Sequence, residues 1–141
     1  MKQQLNTVLL IDDDEIINFI HEKIIHATGC VQQIVAKQTG KSGLDFLQQM
    51  GKNHPNRPEL ILLDINMPAM NGWEFLTKFQ RLPAEEQQGI VIIMLTTSQN
   101  PDDEIKARAI PVVSGFLQKP LSTETVYSIV EEHFKTTLHN A

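Results

Sequence analysis

Four short, unbroken apolar runs constrain this chain most: Val8-Leu9-Leu10-Ile11, Leu60-Ile61-Leu62-Leu63, Ile90-Val91-Ile92-Ile93-Met94-Leu95 and Gly115-Phe116-Leu117. A strand with one wet face alternates apolar and polar residues, whereas a strand covered on both faces reads as a continuous apolar run. These runs therefore predict strands held between two layers of helices. Val31 to Ala36 reads as a weaker strand of the same kind.

Helical patterns lie between the runs. Asp14 can cap a helix with apolar positions Ile16, Ile17, Ile20, Ile24 and Ala27, stopped by Gly29. A Gly-weakened helix carries Leu44, Leu47 and Met50, and another carries Trp73, Leu76 and Phe79. Asn100, Pro101, Asp102, Asp103 and Glu104 combine a cap, a proline at the first helical position and acids facing the positive dipole end. Ser122 caps a last helix with Val126, Ile129, Val130, His133 and Phe134 on one face. The order is βαβαβαβαβα, which implies an open parallel sheet with helices on both faces. Five such units fit 141 residues, and the eight of a barrel do not.

Composition narrows the function. Seventeen acids against twelve Lys and Arg give a formal charge of -5, the wrong sign for a nucleic-acid surface. A lone cysteine, Cys30, excludes an internal disulfide and a cysteine-built zinc site. No apolar stretch approaches the ~18 residues that span a bilayer. The expectation is a cytoplasmic domain over residues 1–141, its core about 6–138, with no direct contact to nucleic acid or membrane.

The residues just after each strand carry the chemistry. The first run ends in Asp12-Asp13-Asp14, the third strand in Asp64, the fourth in Thr96-Thr97-Ser98 and the fifth in Gln118-Lys119-Pro120. Ligands of such sheets bind at the carboxyl ends of the strands. Two or three carboxylates, a hydroxyl and an ammonium are thus expected at one edge. Carboxylates held close repel one another unless a proton or a cation intervenes. Mg²⁺ suits an all-oxygen donor set and takes a phosphate oxygen from its substrate. A carboxylate can itself be the nucleophile that forms an aspartyl-phosphate.

In the stretches VLLIDDDEI (8–16), LILLDINMPAMNGWEFL (60–76), VIIMLTTS (91–98) and GFLQKPL (115–121) the chain resembles the CheY-like response-regulator receiver family over nearly its whole length. The resemblance implies a flavodoxin-like (βα)5 sandwich with strand order 2-1-3-4-5. It implies that Asp64 accepts a phosphoryl group from a histidine kinase or phosphotransfer protein. Asp12, Asp13, Asp64 and the backbone carbonyl of Asn66 would hold Mg²⁺, with Asp12 bound largely through water. Thr96 would hydrogen-bond the phosphoryl oxygen and Lys119 would pair with its charge. The Lys119–Pro120 bond would be cis. Thr96 and Phe116 would form the switch, and the last two helices with strand five would bind a downstream protein in trans. No length remains for an output domain, unless the chain is one part of a longer protein.

The chain departs from the family pattern in places. Thr97 stands where a small residue is usual, the loops 51–58 and 82–89 are long, and the apolar stretch 109–114 replaces a Gly/Ala-rich turn near a partner surface. Simpler readings suit several residues. Asp14 is a helix cap rather than a metal ligand, Trp73 is packing, and Met67-Pro68 with Met70-Asn71-Gly72 is turn chemistry. His21, His26, His54, His133 and His139 have no metal-ligand spacing and read as structural or solvated, and Cys30 reads as inert. Two rival functions remain. A haloacid-dehalogenase-type phosphatase would use Asp12 and Asp14 with Thr96, but leaves Asp64 unexplained and lacks a further acidic pair after Lys119. A flavodoxin-like binding module without phosphorylation would have a degenerate acidic edge.

Overall fold

The computed structural model describes residues 5–139. Five parallel strands form one sheet: β1 (Leu5–Ile11), β2 (Val31–Lys37), β3 (Leu60–Asp64), β4 (Val91–Thr96) and β5 (Val113–Gln118), in the order β2-β1-β3-β4-β5. The apolar runs are these strands, and the weaker run is the edge strand β2. The helices are α1 (Glu15–Thr28), α2 (Gly40–Met50), α3 (Gly72–Phe79), α4 (Ala84–Gln87), α5 (Pro101–Arg108) and α6 (Thr123–His139). The four-residue α4 falls in the long 82–89 loop and has no apolar face from which it could be anticipated.

The continuous runs bury both faces of the sheet. Val8, Leu10, Leu60, Leu62, Ile93 and Leu95 face the layer of α1 and α6, meeting Ile25, Val126, Ile129 and Val130. Their alternates Leu9, Ile11, Ile61, Leu63, Ile92 and Met94 face α2, α3 and α5, meeting Leu44, Leu47, Phe75, Phe79 and Ala107. The glycine that weakens α2 as a helix serves packing: a Cβ on Gly43 would lie 2.6 Å from Ile11 Cδ1, so its absence lets the helix sit close on the sheet. Of the 109–114 stretch, Ile110, Val112 and Val113 pack partly against this second layer.

The caps match the expectation. Asp14 Oδ1 accepts from the N–H of Ile16 at 2.9 Å and of Ile17 at 3.3 Å. Gly29 ends α1 at φ 69, the left-handed region open to glycine. Asn100 caps α5 through the Asp102 N–H at 3.0 Å, and Ser122 Oγ accepts the Thr125 N–H at 3.1 Å.

The apolar stripe expected on α1 is corrected. Ile16 is 69% exposed and Phe19 57%, while Asn18, His21, Ile25 and Thr28 are buried. The end of the sheet beneath α1 presents backbone polar groups, which need partners when covered. Asn18 and His21 supply them, and the rotation that brings these two inward turns Ile16 and Ile20 out.

Candidate functional site

The site is built from strand ends. Strands β1 and β3 are neighbours at the centre of the sheet, in register from Val8↔Leu60 to Ile11↔Leu63. Asp12 therefore leaves the sheet beside Asp64, the last residue of β3, and both are 4% exposed. Strand β4 continues on the other side, with Asp64 opposite Leu95 and Thr96 opposite Gln118 of β5. Lys119, the next residue, precedes Pro120 across a cis peptide bond, as the family resemblance led one to expect. Its Nζ donates to Asp12 Oδ2 at 2.6 Å and lies 2.9 Å from Asp64 Oδ1, with all three side chains nearly removed from water.

Asp13 joins from the solvent side. Carboxylate oxygens of Asp12, Asp13 and Asp64 lie within 4.8 Å of one another. Asp12 is further held by the Asp14 N–H, which donates to its Oδ1 at 2.9 Å. Asp14 itself turns to the helix N-terminus, so its carboxylate is engaged as a cap and not in the acidic group.

Electrostatics make this group uneasy on its own. Burial pushes the Asp64 carboxyl up from 3.8 to about 6, and the Asp12 charge pushes the same way; Lys119 and the Asn66 backbone N–H pull against them. Burial would lower the Lys119 ammonium, but its two carboxylate partners outweigh that and raise it. Three carboxylates thus stand against one ammonium, which pairs with two of them, with all-oxygen donors and one exposed opening at Asp13. A hard divalent cation fits that donor set and that charge deficit.

The remaining expected residues lie along the same edge or just below it. Thr96 is fully buried; its Oγ1 accepts the Ser98 N–H at 2.9 Å and its carbonyl accepts the Lys119 N–H at 2.8 Å. Thr97 is exposed, as is Asn66 in the loop after β3. Phe116 is half-buried on β5 opposite Met94 and belongs to the apolar layer beneath α3 and α5 rather than to the charged group. Trp73 is packing, with Lys106 Nζ 4.5 Å over its ring. Cys30 is buried ahead of β2. His26 and His54 are exposed, and the side chain of His139 lies outside the described ones.

Sequence reasoning did not single out Asn18, and it read His21 as structural or solvated without a place beside the site. Asn18 Nδ2 donates to the Asp12 carbonyl at 2.9 Å, and its Oδ1 has no partner although buried. His21 Nε2 accepts the Leu121 N–H at 3.3 Å. A signal existed: the two are three apart, on one face of a helix whose cap adjoins the acids.

A doubly wound parallel sheet with an acidic group and a lysine at its carboxyl edge defines a class: small α/β proteins that bind their ligands at the carboxyl ends of the strands, here against oxygen donors that suit a divalent cation. The sequence matches the response regulator receiver domain family over residues 8–131, and the chain belongs to that family. It is 29% identical to the response regulator Rcp1 of Synechocystis over 126 residues, 88% of this chain and 83% of that protein. A two-component response regulator from Cytophaga hutchinsonii has a crystal structure that superposes with a TM-score of 0.87 at 30% identity, covering 94% of this chain and 99% of that one. The Mn²⁺-bound form of Rcp1 superposes with a TM-score of 0.68 at 29% identity, covering 89% and 91%. The protein is a phospho-accepting module of two-component signalling. Among its described residues no helix is long and apolar enough to cross a membrane.

Proposed function

We propose that Asp64 is the phosphoryl acceptor of this receiver. The observation that carries the reading is the Lys119 ammonium shared between Asp12 and Asp64, residues drawn from three separate strand ends. A carboxylate oxygen of Asp64 attacks the phosphorus of a phosphohistidine; the new P–O bond forms as the P–N bond breaks, and the imidazole leaves with the electron pair. Lys119 then exchanges its contact with the Asp64 carboxylate for the phosphoryl oxygens. The Thr96 hydroxyl donates to a phosphoryl oxygen in place of its local contact with Ser98. Asp12, Asp13, Asp64 and the Asn66 carbonyl would hold Mg²⁺, Asp12 largely through water. When bound, this ion neutralises charge on the oxygens of the transferring group. The Mn²⁺ form of Rcp1 supports a divalent cation in a relative of this fold.

The phosphorylated state differs in charge and hydrogen bonding at the sheet edge, so it biases alternative arrangements of Thr96 and Phe116. The readout is the face of α5, β5 and α6, where Phe116 meets solvent. The protein works as a switch in the cytoplasm, receives its phosphoryl group from a histidine kinase or phosphotransfer protein, and acts on a separate partner. It forms and loses its own acyl phosphate and turns over no other substrate. The chain works as one domain.

Acetyl phosphate with Mg²⁺ tests the assignment. Intact mass is expected to show a single phosphoryl adduct on the wild-type chain and none on Asp64→Asn. An adduct that survives Asp64→Asn, or a magnesium-loaded wild-type chain that takes none, refutes it.

A further inference from the structure

Two polar side chains on the inward face of α1 have no part in the phosphoryl chemistry. Asn18 is 4% exposed and His21 1%. Each binds a backbone group of a segment that carries the ion pair: Asn18 the carbonyl of Asp12, His21 the N–H of Leu121. The second link spans 100 residues of sequence.

The turn after β5 is anchored by the Leu121 side chain in the apolar layer under α1 and α6 and by Gln118 on the Ser98 carbonyl, but it has few backbone hydrogen bonds. The Lys119 N–H is held by the Thr96 carbonyl at 2.8 Å on the β4 side. Pro120 has no N–H to give. The next backbone donor is that of Leu121, and α6 begins only at Thr123. His21 therefore holds the turn from the α1 side as Thr96 holds it from the other. Between these two holds stands Lys119, whose long side chain must place one ammonium within hydrogen-bond distance of two carboxylates.

We propose that His21 is a positioning residue for Lys119: by accepting the Leu121 N–H it fixes the turn from which the lysine reaches Asp12 and Asp64. The inference rests on the reading of Asp64 as phosphoryl acceptor. The bond needs a neutral imidazole with its proton on Nδ1. Burial lowers the His21 pKa, the Lys119 charge lowers it further, and Asp12 opposes both, so the accepting form is favoured.

Two substitutions separate positioning from mere volume. His21→Gln keeps an acceptor near the place of Nε2, and His21→Leu keeps bulk without one. With acetyl phosphate and saturating Mg²⁺, His21→Leu is expected to lower the maximal phosphorylation rate at least tenfold. His21→Gln should stay within threefold of wild type. Mg²⁺ affinity by calorimetry should change less than twofold in the glutamine variant, which keeps Lys119 on its two carboxylates, and should rise more than twofold in the leucine variant, where the competing ammonium leaves Asp12 and Asp64. A second readout is independent of phosphorylation: the ¹⁵N resonance of the Lys119 ammonium should match wild type in the glutamine variant and move toward solvent lysine in the leucine variant. If that resonance moves while wild type takes no phosphoryl group, the positioning stands and the acceptor reading falls. Equal rates in all three proteins, or an unmoved Lys119 resonance, overturn the positioning. So does an equal loss of rate in both variants that tracks their unfolding midpoints. Should the leucine variant not fold, amide exchange in wild type decides: Leu121 is expected to be protected, and exchange at the rate of a free amide overturns the assignment.

Discussion

Asp64 carries a conflict that its surroundings create and that its chemistry uses. A buried carboxyl holds its proton to about pH 6, while in the unfolded chain it releases it near 3.8. Its favourable contribution to folding is therefore full below about pH 4 and is lost as pH rises through 6. In metal-free protein, the stability of Asp64→Asn relative to wild type should grow by about 2–3 kcal/mol between pH 4 and 7.5. Urea denaturation in EDTA at the two pH values checks this, and a difference that does not vary with pH refutes it. Gly72 is a second constraint at single-residue detail. A Cβ there would lie 2.8 Å from the Asp64 carbonyl oxygen and 3.0 Å from Ile65 Cα, both backbone atoms that cannot rotate away. Gly72→Ala should cost about 2 kcal/mol or more and disturb the loop after β3. Thermal unfolding and the rate of adduct formation should both show it.

Helix α1 shows how an element can obey its caps and defy its own apolar pattern. Its start at Asp14 and stop at Gly29 come from cap chemistry. Its rotation is set by the groups beneath it, where the Asp12 carbonyl and the Leu121 N–H require partners. Exposed Phe19 and buried Ile25 should then answer unequally to truncation. Phe19→Ala should change stability by less than about 1 kcal/mol, and Ile25→Ala should cost about 2–4 kcal/mol. A larger loss at Phe19 than at Ile25 would mean that the helix is turned the other way. Ile16, Phe19 and Ile20 are left facing outward on α1.

The sheet as a unit makes metal and fold interdependent. The charge deficit among Asp12, Asp13, Asp64 and Lys119 exists only when strands β1, β3 and β5 are assembled, so an ion that relieves it binds the folded chain. A ligand at a hundred times its dissociation constant adds about 2.7 kcal/mol in that case. For a chain of this length Mg²⁺ should raise the unfolding midpoint by roughly 6–10 °C. The rise should fall below about 2 °C in a variant with Asp13→Asn and Asp64→Asn together. Scanning calorimetry with and without Mg²⁺ measures both, and an equal rise in the two proteins would place the ion elsewhere.

Much of this protein can be read along the chain, because strands and caps are local matters. A continuous apolar run specifies a strand covered on both faces wherever it pairs, and an Asp, Asn or Ser ahead of a helical pattern specifies its start. The acids and the lysine stand at strand ends in the primary sequence, so their meeting at one edge is implied once the strands are parallel. The partners of Asn18 and His21 are different in kind. They depend on which groups face one another after residues 12, 18, 21, 64 and 121 have been brought together. Burial and proximity are properties of the assembled sheet, not of any residue type. For that reason the raised pKa of Asp64, the shared contact of Lys119 and the rotation of α1 arise only in the folded molecule.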